Sequence, residues 1–352
     1  MRRSLTHGIA ATLLVAMTQG VAQSPGGVID SVRARWLMGT LLEVRLPASP
    51  RADALADAAF AAVEEVERAA STWRDDTELA RLHRRAGTGP ERVSDVLAQA
   101  LGTAARLRDE TGGAFDPALG ALVAAYGLRG PGRWPSETEV ARALSLAGPR
   151  AFAWDGEARL LALSGPDVRL DLDGIAKGIA LDRAAERLRA QGVRRALLNF
   201  GGQLLAIGPP EGEPPFEGLV ASADGEGRPV LAVPLRDASL STSSDSERGR
   251  LVDGRPAGHL LDPRTGRFAA FRGSVTVLAP TAAEADALST AFFVLGPDSF
   301  HRDADRRRSR DIAVAFLVQA PGGARALADP VFHPAPARAD GPSPDERQEN
   351  SR

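Results

Sequence analysis

The apolar residues of this chain change period repeatedly, and that alternation limits the folds open to it. Between Arg35 and Leu46, Trp36, Leu42, Val44 and Leu46 follow a partial period of two, the mark of a strand or hairpin with Gly39 at its bend. Leu55, Ala59, Val63, Val66 and Ala70 then recur at helical spacing and define one face of an amphipathic helix. A second helix is predicted from Asp75, with Glu78 three residues on as in a capping box, and a third from Asp95 to Thr111, stopped by Gly112-Gly113. Residues 128–137 are rich in Gly and Pro and read as a loop. Phe152–Leu163 reads as a hairpin turning at Asp155-Gly156. A strand through Val168–Leu172 is predicted to enter a helix from Ile175 to Gln191, and a strand Arg195–Phe200 to end at Gly201-Gly202. Further strands are expected to about residue 240, then a strand Ser274–Ala279, a helix Ala282–Leu295 and a last core strand Ile312–Val318. This order lacks the regular βαβ rhythm of a doubly wound fold, so the expectation is α+β. It is a single compact unit over residues 28–334, with two lobes allowed, no internal repeat and no long linker. The tail 335–352, rich in Pro, Asp and Arg, is expected to be disordered.

Composition narrows the chemistry. None of the 352 residues is Cys, which excludes disulfides, thiolate metal sites, thiol nucleophiles and lipid attachment through an N-terminal cysteine. Five histidines, far apart in sequence, make a multi-histidine zinc site hard to build. A net charge of −2 gives no global basic field, so no nucleic-acid partner is expected. Arg2 and Arg3, the apolar run Gly8–Val21 and Gly20-Val21-Ala22 together read as an export signal over residues 1–22. The run is too short to cross a bilayer comfortably, and the expected location is the periplasm or the exterior, with no transmembrane span after cleavage. An uncleaved N-terminal anchor is the alternative.

Several segments carry groups suited to chemistry, each with a plain structural reading beside it. Asp171-Leu172-Asp173-Gly174-Ile175-Ala176-Lys177-Gly178 lies where a strand meets a helix start, which can receive a phosphate or can be a capped helix with a solvated Lys. Asn199-Phe200-Gly201-Gly202-Gln203 can bring two amides to a planar heterocycle, or is a glycine turn. His259, in the turn-rich Gly258–Gly266 with Asp262, is a candidate general base or a structural histidine. Asp286 and Thr290, four apart on a predicted helix, share a face and offer hard oxygen ligands, or form the polar edge of an amphipathic helix. Ser239–Ser246 is hydroxyl-rich, with Thr242 and Ser243 at its centre; it could hold phosphate oxygens or be a polar loop. Gly112–Pro117 follows a helix, Phe115 fitting a core and Asp116 a turn.

Read in order, these segments resemble the ApbE family of FAD:protein FMN transferases. The resemblance runs from Met38-Gly39-Thr40 through Ser71-Thr72-Trp73, Gly113–Pro117, Asp171–Gly178, Asn199–Gln203, Thr242-Ser243 and His259–Gly266 to Ala285–Thr290. It implies a T-fold-like α+β architecture. It also implies a Mg²⁺ site of Asp286, Thr290 and the Ala176 carbonyl, and Lys177 near the FAD pyrophosphate. The FAD pocket would be shaped by Met38, Trp73, Ala114, Phe115 and Asp116, with Asp173, Asn199, Thr242 and Ser243 also binding. His259 would be the catalytic base, with Asp262 beside it. The implied reaction moves FMN from FAD to a Thr or Ser hydroxyl of an acceptor flavoprotein and releases AMP; FAD hydrolysis and plain FAD binding are the alternatives. Ser244 stands where family members often carry Gly.

Overall fold

In the computed structural model, residues 30–222, 227–245, 250–302, 304–320 and 323–336 are described. The expected signal, residues 1–22, and nearly all of the expected tail lie outside them, as does Ser246.

Eight strands form one antiparallel sheet whose spatial order is also their chain order. They are Asp30–Leu37, Thr40–Pro47, Ala196–Phe200, Gln203–Ile207, Ser239–Ser244, Gly273–Ala279, Ala313–Ala320 and Gly323–Ala328. The helices are α1 (Ala52–Ala70), α2 (Glu78–Arg84), α3 (Asp95–Glu110), α4 (Gly120–Ala125), α5 (Glu137–Ser145), α6 (Ala176–Ala190), α7 (Ala282–Leu295) and α8 (Ala304–Arg308). The α+β expectation holds. The sequence shows no repeat, yet the element order has one: two strands, helices, two strands, first around α1 and α6, then around α7 and α8.

Strand alternation sends alternate residues to opposite faces. Leu42, Val44, Leu198, Phe200, Val275, Val277, Val314 and Phe316 join the core with α1, α6 and α7. Leu197, Leu204, Ala206, Leu240, Ala315 and Leu317 face the other way, onto Phe216–Ala221 and Pro229–Leu235 of a three-stranded sheet. With both faces covered, Gln203–Ile207 is buried along its whole length. A third, separate cluster joins α4 and α5 to Tyr126 and Leu261.

Three local expectations change. The second helix starts two residues later than expected, because Thr77, not Asp75, caps it by accepting the Ala80 N–H at 3.1 Å. Val168–Leu172 is not a strand: its backbone donors go to the Pro117 carbonyl from Asp171 (2.6 Å) and to His83 Nε2 from Leu170 (2.9 Å), not to a sheet neighbour. Residues 128–137 are not all loop, since α5 begins at Glu137 behind a complete capping box of Ser136 and Glu139.

Candidate functional site

One cleft, of about 700 Å³, opens where turns of the large sheet meet the first turns of α6. The hairpin turn Met38-Gly39 and the turn Gly201-Gly202 both reach it, and all four residues have positive φ. The end of the strand Ser239–Ser244, the Asp171–Lys177 segment, the Ala114–Asp116 turn and His259–Leu261 complete its walls. Of the residues named from sequence, Met38, Trp73, Ala114, Phe115, Asp116, Asp173, Ala176, Lys177, Thr242, Ser243, His259, Asp286 and Thr290 all line it.

Asn199 and Asp262 do not line it. The Asn199 amide donates to Glu43 at 3.0 Å and accepts the Gly202 N–H at 3.0 Å, so it stitches the glycine turn. Asp262 accepts the Arg264 N–H at 2.9 Å and grips its guanidinium through both oxygens, at 2.9 and 2.8 Å. That carboxylate holds a turn rather than facing the cleft beside His259.

The oxygen cluster on α7 is framed with care. A Cβ at Gly178 would sit 2.3 Å from the Ala282 carbonyl oxygen, so glycine alone lets α6 and α7 cross this closely. Asp182 on α6 accepts the Ala282 and Ala283 N–H groups at 2.7 and 2.9 Å, and Gln203 donates to the Ala282 carbonyl at 2.8 Å. Burial pushes the Asp182 carboxyl up to about 6, while the two N–H donors pull it back.

This crossing places Asp286, 5% exposed, against the start of α6. The Gly178 N–H donates to it at 3.1 Å, and Lys177 Nζ stands 3.4 and 3.5 Å from its two oxygens. A carboxylate of the protein itself therefore occupies the helix start that the sequence offered to a phosphate. Lys177 is farther than the 2.7–2.9 Å usual for a tight charge-assisted bond.

Thr290 Oγ1 is as loosely held, at 3.4 Å from the Asp286 carbonyl and 3.5 Å from Ser243 Oγ. Ser243 pairs more firmly with Ser289 at 2.9 Å, and Thr242 with Thr276 at 2.8 Å. Asp286 and Thr290 thus offer hard oxygens with loosely engaged lone pairs, the type a hard divalent cation takes. Among the described residues no three His, Cys, Asp or Glu side chains converge as a metal site, so a cation here would rely on one carboxylate and neutral oxygens.

The opposite rim is charged and aromatic. Trp73 Nε1 and Thr72 Oγ1 each donate to Asp173 at 2.8 Å. Arg129 lines the same rim and pairs with Asp171 at 2.5 Å. Burial and the neighbouring Asp173 push the Asp171 carboxyl up to about 6, against the pull of Arg129. Asp116 is buried, accepting N–H groups from Ala118 (2.8 Å) and Gly148 (2.9 Å); burial raises its carboxyl above the ordinary range. Gln203, the second of the two amides offered to a planar heterocycle, does line the cleft, as do Arg129 and Glu67, which the sequence does not single out. Arg129 and Glu67 carry no local signal in the sequence.

His259 sits in the short connection between the strands Arg255–Ala257 and Leu261–Asp262. Its loop rests on the satellite core. Tyr126 donates to the Gly266 carbonyl at 3.0 Å, Phe268 lies under Gly258, and the Ala269 N–H donates to the Leu260 carbonyl at 2.9 Å.

Residues 38–316 match the ApbE family. A FAD:protein FMN transferase of Treponema pallidum is 34% identical over 306 residues, covering 81% of this chain and 84% of that protein. One of Klebsiella pneumoniae is 30% identical over 290 residues, covering 80% and 82%. Among solved structures, the flavin transferase ApbE of Vibrio cholerae aligns with a TM-score of 0.74 at 27% identity, covering 87% of this chain and 98% of that one. The ApbE protein of Thermotoga maritima aligns with a TM-score of 0.76 at 27% identity, covering 86% and 97%.

Proposed function

This chain belongs to the ApbE family, and from that premise we propose that it is a Mg²⁺-dependent transferase that moves FMN from FAD to a Thr or Ser hydroxyl of an acceptor protein, releasing AMP. The observation that carries the reading is the convergence in one cleft of an imidazole, an ammonium, a carboxylate–hydroxyl oxygen cluster and an aromatic–acid rim, from segments far apart in sequence. A pyrophosphate joining two planar ring systems needs those groups in one place.

The acceptor oxygen attacks the phosphorus on the FMN side, the bond from that phosphorus to the AMP phosphate oxygen breaks, and AMP departs with the electron pair. The attacking oxygen's proton passes to His259, which serves as base only when neutral. Phosphoryl transfer of this kind has a loose transition state with charge spread over oxygens, so catalysis is mostly positioning and charge stabilisation. Lys177 supplies fixed positive charge beside Asp286. Asp286, Thr290 and the Ala176 carbonyl would hold Mg²⁺, which when bound neutralises charge on pyrophosphate oxygens. Residues 1–22, which read as an export signal, support a reaction outside the cytoplasm, with an acceptor flavoprotein subunit in the same compartment. No helix among the described residues is long and apolar enough to cross a membrane.

The test incubates the protein with FAD, Mg²⁺ and an acceptor domain bearing a candidate Thr, and follows acceptor mass. A gain of one FMN, lost with EDTA and with His259→Ala while FAD still binds, is expected. Free FMN and AMP with no acceptor gain would replace transfer by FAD hydrolysis. Intact, bound FAD would leave a binding protein.

A further inference from the structure

The rim that carries Asp173 is held by a residue with no part in the mechanism above. Arg129, in the loop after α4, lays its guanidinium over the Trp73 indole, with Cζ 4.9 Å from the ring centroid. The same guanidinium donates to Asp171 Oδ2 at 2.5 Å and stands 3.6 Å from Asp173 Oδ2. The Asp173 N–H donates to Asp171 Oδ1 at 3.0 Å, and Trp73 Nε1 donates to Asp173 Oδ2 at 2.8 Å. The contacts close a ring of four residues: Trp73, Asp173, Asp171 and Arg129.

That ring answers a physical difficulty. Trp73 lies outside any helix or strand and is 62% exposed, so an unsupported indole there would swing about its two side-chain torsions. Here its N–H edge is pinned by Asp173 and one face is covered by Arg129. The rest of the indole stays open to solvent where it lines the cleft. A fixed aromatic face backed by a cation is a stacking platform for a planar heteroaromatic ring.

We propose that Arg129 is a substrate-positioning residue, which fixes the plane of Trp73 so that the open face of the indole stacks on a planar ring of the dinucleotide. The proposal rests on the reading that FAD is the substrate. Arg129 acts through Trp73 and not by touching the reacting phosphorus. Arginine is favoured because a planar guanidinium can lie flat on the indole and pair with a carboxylate at once, whereas a lysine ammonium is a compact point charge with no plane to hold the ring.

The test uses the full chain, with FAD affinity read from flavin fluorescence and turnover from acceptor mass. Arg129→Lys keeps a cation beside Asp171 and is expected to melt near the wild-type temperature. It should raise Kd and KM for FAD about tenfold while kcat stays within about twofold. Trp73→Ala should weaken FAD binding to a similar degree. Adding Arg129→Lys to Trp73→Ala should cost nothing further, because the platform is already gone. Competition by ADP and by FMN identifies the ring: the competitor that loses affinity in Arg129→Lys carries it. Unchanged FAD affinity in Arg129→Lys overturns the proposal. So do additive losses in the double variant, or a fall in kcat at unchanged KM. The binding titration needs no acceptor, so a wild type that binds FAD but transfers nothing would defeat the transfer reading alone. A wild type that binds no FAD defeats both.

Discussion

The sharpest structural prediction concerns Gly178→Ala. In an ordinary helix interior this exchange stabilises by about 1 kcal/mol, because alanine has less backbone freedom to lose. At Gly178 the new Cβ would meet the Ala282 carbonyl oxygen at 2.3 Å and the Ala283 Cα at 2.6 Å. Both are backbone atoms that cannot rotate away, so α7 must retreat by about 1 Å to reach ordinary contact at 3.4 Å. The Gly178–Asp286 bond, 3.1 Å now, would then exceed hydrogen-bonding range. Overpacking costs roughly 1–3 kcal/mol and loss of a bond to a charged group roughly 1.5–3 kcal/mol. Less the helix gain, the net is about 1.5–5 kcal/mol of destabilisation, a melting temperature lower by roughly 2–8 °C for a chain of this size. Because Asp286 and Thr290 ride on α7, turnover should fall by about a hundredfold, the usual cost of a 1 Å misplacement. Gly102→Ala in α3 is the control, since its Cβ would meet only Trp154 Nε1 at 3.5 Å; it should melt at or above wild type. The assay is a thermal melt of both variants with FMN transfer measured at saturating Mg²⁺. A Gly178→Ala protein that melts as high as Gly102→Ala, with turnover intact, would refute the claim that this glycine sets the site.

Asp286→Asn keeps the side-chain shape but removes the charge, and the Mg²⁺ concentration for half-maximal transfer should rise at least tenfold; an unchanged titration would remove Asp286 from the cation site. Tyr126→Phe deletes one buried donor to the Gly266 carbonyl, worth about 1 kcal/mol. Its kcat should drop a few-fold at constant KM for FAD, and a changed KM alone would show that this bond serves binding instead. His83 gives a pH signature. Burial, with Arg169 and Arg129 nearby, holds its imidazole down at about 4, against 6.5 for the free group. The unfolded chain therefore takes up the proton first on acidification. The His83 contribution is complete above pH 6.5, falls through the window between 6.5 and 4, and levels off below it, a loss of up to about 3 kcal/mol from this group. Asp171 and Asp182, held up at about 6, slope the other way in that window, so the signature is the difference between urea melts of wild type and His83→Gln, which should shrink as pH falls from 6.5 to 4; a constant difference would refute it.

The sequence carried the large elements well where period and punctuation agreed. Met38-Gly39 closes the first hairpin, α7 runs over the residues expected, and Gly112-Gly113 follows α3. It failed where apolar periodicity is short or a segment has no sheet neighbour. α4 has six residues and no side-chain cap, too little for a helical face. α5 was hidden by the Gly- and Pro-rich stretch before it, although Ser136 and Glu139 spell a capping box. Val168–Leu172 is apolar like a buried strand, but its hydrogen bonds go to a histidine ring and a loop carbonyl, partners that periodicity cannot reveal. The sequence offers the Asn199 amide to a planar heterocycle, and the family resemblance sets Asp262 beside His259. In the fold a neighbour on the chain can face elsewhere, and both spend their polar groups holding turns.

The same reasoning explains why the cleft left so thin a trace in the sequence. No short motif holds it, because its walls are the ends of elements brought together by the sheet. The residues that set its geometry are mostly not those that face it. Gly178 and Asp182 bring α7 against α6, and only then does the Asp286 carboxylate meet the Gly178 N–H and Lys177. Tyr126 and Arg129 lie three positions apart on one loop. One holds the turn beyond His259 and the other the rim at Trp73. A single segment after α4 thus braces both the proposed base and the proposed ring platform. Change in that segment should disturb substrate binding through Arg129 and turnover through Tyr126 separately, which is why the two variants are expected to split KM from kcat in opposite directions.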